Sequence, residues 1–230
     1  MAMNNPQQLN WHIYEDASSL ARDASARIFR EARHAIGERD QFNIVLAGGH
    51  TPERTYGYLG RGESDWSRWQ VFFGDEKIDA EGHLLNFNMA RDALLDVVAI
   101  PRQQVNRLML DAGFEVAVDA YLKKLRRIKA FDLVLLGMGE DGHTASLFPG
   151  RALNTVDELI CLDDAPFEPR DRISMNYLRL NAARRVMVLI EGERKRDAVK
   201  AWLAGEDLPI SHITGLDGVD VLIEKSAYPG

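Results

Sequence analysis

Apolar residues in this chain of 230 residues fall into short continuous runs separated by stretches of helical periodicity. Continuous runs are typical of strands whose two sheet faces are both covered. The runs are FNIVLA (42–47), WQVFF (69–73), FDLVLL (131–136), RVMVLI (185–190) and VDVLI (219–223). Recurrence every three or four positions predicts helices over 17–36, 87–98, 114–129 and 193–204. This alternation predicts a three-layer α/β/α fold with a mainly parallel sheet.

The chain has the size of one domain, and we predict a single domain over 1–230. No internal repeat or linker interrupts the pattern. The least regular part is 150–172, where PFEPRDR has two prolines within four residues. That stretch predicts an ordered surface loop.

Composition narrows the range of partners. The net charge of −7, without a basic tail, argues against nucleic acids, although a few converging cations still suffice for a small anion. Cys161 is alone, which excludes an internal disulfide and fits a reducing compartment. The first residues do not resemble a secretory signal, and no apolar run approaches the ~18 residues of a membrane span. We therefore expect a soluble cytoplasmic protein with no membrane partner.

Three of the predicted strands end in a glycine followed by polar residues. The exits are AGGHTP (47–52), GDEK (74–77) and GMGEDGH (137–143). Ligands of open α/β sheets bind beyond the carboxyl ends of the strands. The three loops are therefore predicted to line one pocket.

The first exit has the features of a phosphate loop. Gly48 and Gly49 allow backbone N–H groups to turn toward a ligand, and a helix is predicted to follow with Thr51 as N-cap and Pro52 at its first position. The amino end of a helix favours an anion. A capped turn that binds nothing remains the alternative for this loop.

The second exit places Asp75 and Glu76 side by side. Adjacent residues of an extended segment point in opposite directions, so only one of these carboxylates is expected to face the pocket. Lys77 either pairs with its neighbours or reaches an anion. Taken alone, GDEK is typical of a surface turn.

The third exit has two interpretations. It fits the GxGxxG dinucleotide pattern, with Asp163 about 20 residues further on as a ribose-binding acid. Against this, the charges of Glu140 and Asp141 would repel a pyrophosphate. The other interpretation is acid–base chemistry by His143, oriented by the nearby Asp141. A structural role for this histidine stays open.

Other kinds of site have little support. The six histidines form no close pair and no HExxH motif, so no metal site is predicted. Ser146 does not lie in a GxSxG elbow, which argues against a serine nucleophile.

At this point the motifs resemble those of a known family. GMGEDGHTASLFPG is similar to the signature of the 6-phosphogluconolactonases, within the larger sugar-phosphate isomerase/deaminase group. AGGHTP resembles the family's SGGSTP loop, and GDEKIDAEGHLLNFNMA resembles its WGDERxVPxDHxxSNxxMA segment. DRISMN and EGERK match later family segments, so the resemblance covers nearly the whole chain.

The resemblance implies a Rossmann-like fold and a reaction. The reaction is hydrolysis of 6-phospho-D-glucono-1,5-lactone to 6-phosphogluconate in the pentose phosphate pathway, by a monomer without metal or cofactor. His143 would be the general base, and Asp141 and Asp75 would line the site. The residues implied in sugar-phosphate binding are Gly48, Gly49, His50, Thr51, Lys77, Arg172 and Lys195.

Four departures from the family pattern bear on the phosphate. Ala47 and His50 replace serines of the first loop, Lys77 replaces an arginine, and Leu85 replaces the serine before Asn86. The segment IDAEGH is also one residue shorter and lacks the family's Val-Pro. Lysine does not reproduce a bidentate arginine contact, so these changes bear on phosphate affinity or sugar identity.

Two further functions remain as alternatives. Aminosugar-phosphate isomerases and deaminases of the group carry an acid where this chain has Phe148. A non-catalytic phosphosugar-binding module would keep the phosphate loop but would be free to lose His143.

Overall fold

The computed structural model describes residues 7–151 and 156–230. The strands and helices in these residues are β1 (Leu9–Tyr14), α1 (Ala17–Arg39), β2 (Phe42–Leu46), α2 (His50–Leu59), β3 (Trp69–Phe73), β4 (Asp75–Ile78), α3 (Leu85–Ala90), α4 (Phe114–Leu125), β5 (Phe131–Gly137), β6 (Leu159–Leu162), β7 (Asp171–Met175), α5 (Tyr177–Leu180), β8 (Ala183–Ile190), α6 (Arg196–Leu203) and β9 (Val219–Glu224).

Six strands form one parallel sheet in the order β1-β9-β8-β5-β2-β3. Its two faces belong to two separate apolar cores. Val45 and Val134 point into the core that includes α4 and α6, whereas Ile44 and Leu133 point into the core that includes α1 and α2. Helices therefore cover both faces, which confirms the predicted α/β fold with a mainly parallel sheet.

All five predicted strands are present, and their runs are continuous because both faces are buried. The helix predicted over 87–98 is two elements, since α3 continues into a π-helical turn at Arg91–Leu95. The helix predicted over 193–204 likewise begins with a 3₁₀ turn at Glu193–Lys195 before α6. Strand β1 was not predicted.

The structure has a second sheet, which the sequence did not predict. Along the chain, its strands come between β3 and β8, on either side of β5. It is antiparallel and has the strand order β4-β7-β6. Two expectations were therefore wrong. Residues 75–77 of GDEK belong to β4, with Asp75 and Glu76 buried, rather than to a surface turn, and the predicted loop 150–172 contains β6 and the first residues of β7. Residues 152–155 of that predicted loop lie outside the described residues.

In the described part of the chain, no helix combines the length and apolar character that a membrane crossing requires.

Candidate active site

A tight turn after β5 holds His143. The N–H of Gly139 donates to the carbonyl of His143 at 2.7 Å, and Gly142 has φ +79°, a conformation that favours glycine. A Cβ on Gly139 would overlap the imidazole of His143 and lie 2.5 Å from Asp141 Oδ1. Gly139 is thus required for the close approach of this ring to the backbone.

Asp141 fixes the orientation of the imidazole. Its Oδ1 lies 2.5 Å from His143 Nδ1 and also accepts the backbone N–H of His143 at 3.1 Å. Desolvation acts to raise the pKa of Asp141, but the hydrogen bonds from His143 outweigh it and lower that pKa. Since a carboxylate only accepts, Nδ1 carries a proton, and in the neutral imidazole Nε2 is therefore the lone-pair acceptor.

Two aromatic rings contact the imidazole. The ring centroid of His143 lies 4.9 Å from that of Phe148 and 5.9 Å from that of Phe167. The side chain of His143 is 24% exposed and lines the cleft described below.

Asp75 enters the site from β4 and is held by neutral donors. Its Oδ2 accepts the hydroxyl of Ser146 at 2.7 Å, and its Oδ1 accepts Asn86 Nδ2 at 3.0 Å. Asp75, Ser146 and Asn86 are all buried. The bond to Ser146 joins the small sheet to the turn that carries His143.

Glu76 points away from the cleft, as the alternation of an extended segment predicts. Its carboxylate accepts the backbone N–H groups of Asn86 at 2.6 Å and Phe87 at 2.9 Å, at the start of α3. Burial raises the pKa of Glu76 to about 7, against the lowering effect of these N–H donors and of the N–H of Lys77. Only Asp75 of the two adjacent acids lines the cleft with His143.

Helix α2, which follows the glycine loop, begins earlier in the chain than the sequence predicted. Helix α2 starts at His50 with Gly49 as its N-cap at φ +103°, so the prediction of Thr51 as N-cap was wrong by two residues. The carbonyl of Gly49 accepts the N–H of Glu53 at 3.0 Å, which is the first hydrogen bond of the helix, and a Cβ on the preceding Gly48 would overlap the Asn86 side chain. The amino end of α2 therefore opens directly at Gly49.

Three cationic side chains line the cleft. Lys77 and Arg172 are directly opposite each other in the β4–β7 ladder, on the same face as Asp75. Like charges placed in this way destabilise a sheet unless an anion lies near them. Lys195 reaches the cleft from the turn before α6, and burial lowers the pKa of Lys195.

The guanidinium of Arg172 also holds a loop. Its Nε donates to the carbonyl of Pro169 at 2.6 Å and its Nη2 donates to the carbonyl of Phe167 at 3.1 Å. Burial lowers the pKa of Arg172, while the negative charges of Asp75 and Glu168 act in the opposite direction. Arg172 is 5% exposed and lines the cleft.

These groups enclose a cleft of about 210 Å³ at the carboxyl edge of the parallel sheet. The predicted site residues that line it are Gly48, Gly49, Asp75, Lys77, His143, Arg172 and Lys195. Asp141 contributes through its bond to His143.

His50 and Thr51 lie instead in an adjoining depression of about 340 Å³, which shares Gly48, Gly49 and Lys195 with the cleft. The side chain of His50 is 93% exposed and lies 3.5 Å from Glu53. The first turn of α2 therefore reaches the edge of the cleft rather than its centre.

The structure adds residues that the sequence did not single out. Asn86 was named only as the neighbour of Leu85, and Ser146 only as a weak nucleophile, yet both hold Asp75. Their presence in motif-like segments was the one available signal. Nothing in the sequence indicated that Phe167 contacts His143.

The dinucleotide interpretation of GMGEDGH requires a helix directly after the glycine-rich turn. No helix begins between Gly137 and Arg151, and Asp163 is exposed beside the small sheet, so the dinucleotide interpretation is wrong.

Asp79, Glu81 and His83 form a largely exposed cluster of side chains of the types that bind metals. Asp79 already accepts from the backbone of Glu81 and His83, which closes that loop.

The fold and the cleft together define an α/β protein with a histidine–carboxylate pair beside three cations at the end of a parallel sheet. The model of the family described as glucosamine-6-phosphate isomerases/6-phosphogluconolactonase matches residues 15–221. The chain belongs to this family, and the resemblance seen in the sequence is confirmed.

Similar proteins carry the same description. A 6-phosphogluconolactonase of Synechocystis is 38% identical over 186 residues, covering 76% of this chain and 77% of the relative. A 6-phosphogluconolactonase of Mycobacterium tuberculosis is 33% identical over 235 residues, covering 94% of this chain and 95% of the relative.

Solved structures are similar over nearly the whole length. The 6-phosphogluconolactonase of Thermotoga maritima has a TM-score of 0.87 at 26% identity, covering 95% of this chain and 100% of that one. A monomeric glucosamine-6-phosphate deaminase has a TM-score of 0.79 at 22% identity, covering 95% and 98%. The second match shows the shared fold alone.

Proposed function

We propose that this chain hydrolyses 6-phospho-D-glucono-1,5-lactone to 6-phosphogluconate, with His143 as the general base. The observation that carries the proposal is the orientation of one ring. Nδ1 of His143 is bound to Asp141, which leaves Nε2 to accept a proton in a cleft that also contains Lys77, Arg172 and Lys195. The names of the relatives and of the solved structures support the same reaction.

The chemistry needs little beyond these groups. Nε2 takes a proton from a water molecule whose oxygen bonds to the lactone carbonyl carbon, and the carbonyl oxygen becomes an anion. When this intermediate collapses, the bond from the carbonyl carbon to the ring oxygen breaks. The ring oxygen then takes the proton back from the imidazolium, and the new carboxylic acid ionises. Such base assistance is worth ~10²–10⁴ in rate.

Asp141 and Asp75 have different parts in this proposal. Asp141 keeps the proton on Nδ1 and stabilises the imidazolium. Asp75 has both oxygens bonded to Asn86 and Ser146, which supports a fixed negative group that orients the substrate rather than a second base.

The phosphate is proposed to lie against the cations. Arg172 and Lys195 supply positive charge, Lys77 adds to it, and the amino end of α2 at Gly49 offers backbone N–H groups. His50 and Thr51 would contact the same end of the substrate from the adjoining depression.

Neither alternative function has comparable support. The ring of Phe148 packs against His143 where the isomerases and deaminases carry an acid, so no group is present there to shuttle a proton between carbons. A binding module has no use for an oriented His143–Asp141 pair. A single cytoplasmic domain acting as a monomer, without metal or cofactor, remains part of the proposal.

Proton release on addition of freshly made 6-phosphogluconolactone tests the function. Spontaneous ring opening, measured without protein, is subtracted from the rate. The proposal expects release well above that background with the lactone, and no ammonia from glucosamine 6-phosphate. Ammonia production without lactone hydrolysis would replace it with the deaminase alternative.

A further inference from the structure

His143, Phe148 and Phe167 form a three-ring cluster. The centroid separations are 4.9 Å for His143–Phe148, 5.9 Å for His143–Phe167 and 6.1 Å for Phe148–Phe167, so each ring contacts the other two. Phe148 is 3% exposed and belongs to the interior. Phe167 is 52% exposed and reaches the cluster from the surface.

The segment that carries Phe167 is closed on itself. The N–H of Ala165 donates to the carbonyl of Arg170 at 3.3 Å, and Ala165 is only 1% exposed. Phe167 lies at the tip of this closed loop. Its ring position is therefore set by the loop and by the two rings that it contacts.

Arg172 fixes the tip of that loop from inside the cleft. Two of its nitrogens bind the carbonyls of Pro169 and Phe167. In residues 7–151 and 156–230, no hydrogen bond is found for its third nitrogen, Nη1. One guanidinium thus joins the Phe167 backbone to the cleft in which the substrate anion is proposed to bind.

We propose that Phe167 is a positioning residue for His143, and that Arg172 holds Phe167 in place. The proposal rests on the proposed function. The Phe167 ring restricts the imidazole to the orientation in which Nδ1 binds Asp141 and Nε2 faces the substrate. An anion bound at Nη1 of Arg172 would steady the same guanidinium, and so link phosphate binding to the alignment of the base.

Phe167→Ala tests the contact, and Phe167→Tyr is the conservative rescue because its hydroxyl can reach solvent. Phe114→Ala is the matched control, since Phe114 is also exposed (42%) and lies at the start of α4, outside the cleft. An aromatic contact of ordinary strength predicts that Phe167→Ala lowers kcat about 3- to 10-fold with little change in KM. Phe167→Tyr and Phe114→Ala should keep the wild-type kcat.

Ring ¹⁵N NMR of His143, recorded without substrate, supplies a readout that does not depend on activity. We expect the wild type and Phe167→Tyr to show the Nδ1–H form, and Phe167→Ala to show a mixture of the two tautomers. The signal is assigned by its loss in His143→Ala. A kcat loss without a change in this signal would contradict positioning.

Arg172→Lys separates the two parts of the idea. Lysine keeps the charge but cannot hold both carbonyls, so we expect KM to rise and the His143 tautomers to mix as in Phe167→Ala. An unchanged tautomer signal would overturn the role given to Arg172. If the wild type fails to hydrolyse the lactone, the proposed function falls, while the NMR signals still decide whether Phe167 positions His143.

Discussion

The two sheets of this molecule are built and used in different ways. The parallel sheet is made of continuous apolar strands between two cores, and its exits supply the glycine loop and the turn of His143. The antiparallel sheet is short and places Asp75, Lys77 and Arg172 on one face toward the cleft. The first sheet provides a rigid frame with backbone groups and a base, and the second provides fixed charges.

This difference shows under which conditions charged side chains can be buried in a strand. A buried charged strand such as β4 is stable only because neighbours satisfy it, as Ser146 and Asn86 do for Asp75. The hydrogen bond from Ser146 to Asp75 also connects the antiparallel sheet to the turn of His143 at the cleft. Changes on either side of that link should therefore have separable effects.

Three variants test this difference between the two sheets. We expect the largest effect from a change beside the parallel sheet. In Gly139→Ala the new Cβ overlaps the imidazole of His143, which must leave its bond to Asp141. Displacing the base predicts a loss of kcat on the order of 10²-fold, with KM changed far less. Gly37→Ala is the control, because a Cβ there meets nothing within 4 Å. If Gly139→Ala had the same kcat as the control, the claim that catalysis needs glycine at this position would be contradicted.

An intermediate effect is expected at the link between the sheets. Ser146→Ala leaves one buried oxygen of Asp75 without a donor, which costs about 1–3 kcal/mol in the free energy of unfolding. We expect kcat to fall about 10-fold as well, since a misplaced group of this kind costs of that order in rate.

Ser226 gives the matched control for this link. Its hydroxyl is buried but has no hydrogen-bond partner among the described residues, so Ser226→Ala should change the unfolding free energy little. Denaturant titration measures both variants. Equal midpoints would show that Asp75 does not depend on Ser146.

The smallest effect is expected on the antiparallel side. Lys77→Arg introduces a forked donor opposite Arg172, and we expect KM to fall a few-fold with kcat unchanged if this side chain reaches the phosphate. Lys129→Arg, at an exposed position, is the control. A KM that stays the same or rises would place Lys77 against another part of the substrate.

The same division explains how much could be predicted from sequence. Strands such as β5, with the run FDLVLL, are recognisable because continuous burial leaves a continuous apolar pattern. The three glycine-rich exits then predicted a shared pocket, and seven of the predicted residues line it. The family's motifs lie at those same exits, which is why most residues implied by the resemblance lie at the cleft, while their roles stay predictions.

The antiparallel sheet could not be predicted because its strands lack that pattern. DEKI and DRISM carry charges that ordinarily indicate a turn, and only contacts far apart in sequence make them strands. The start of α2 was also misplaced. Thr51 is a good N-cap by residue type, but the first helical hydrogen bond runs from the N–H of Glu53 to the carbonyl of Gly49, which makes Gly49 the cap.

The central claim is that His143 takes a proton from water while the rest of the cleft holds the substrate. The most direct measurement is lactone hydrolysis by His143→Ala beside the wild type, with His34→Ala as an exposed-histidine control and spontaneous opening subtracted. The account predicts a loss of at least ~10²-fold in turnover for His143→Ala, with KM changed little, and none for His34→Ala. A folded His143→Ala protein that turns over lactone at the wild-type rate would contradict it.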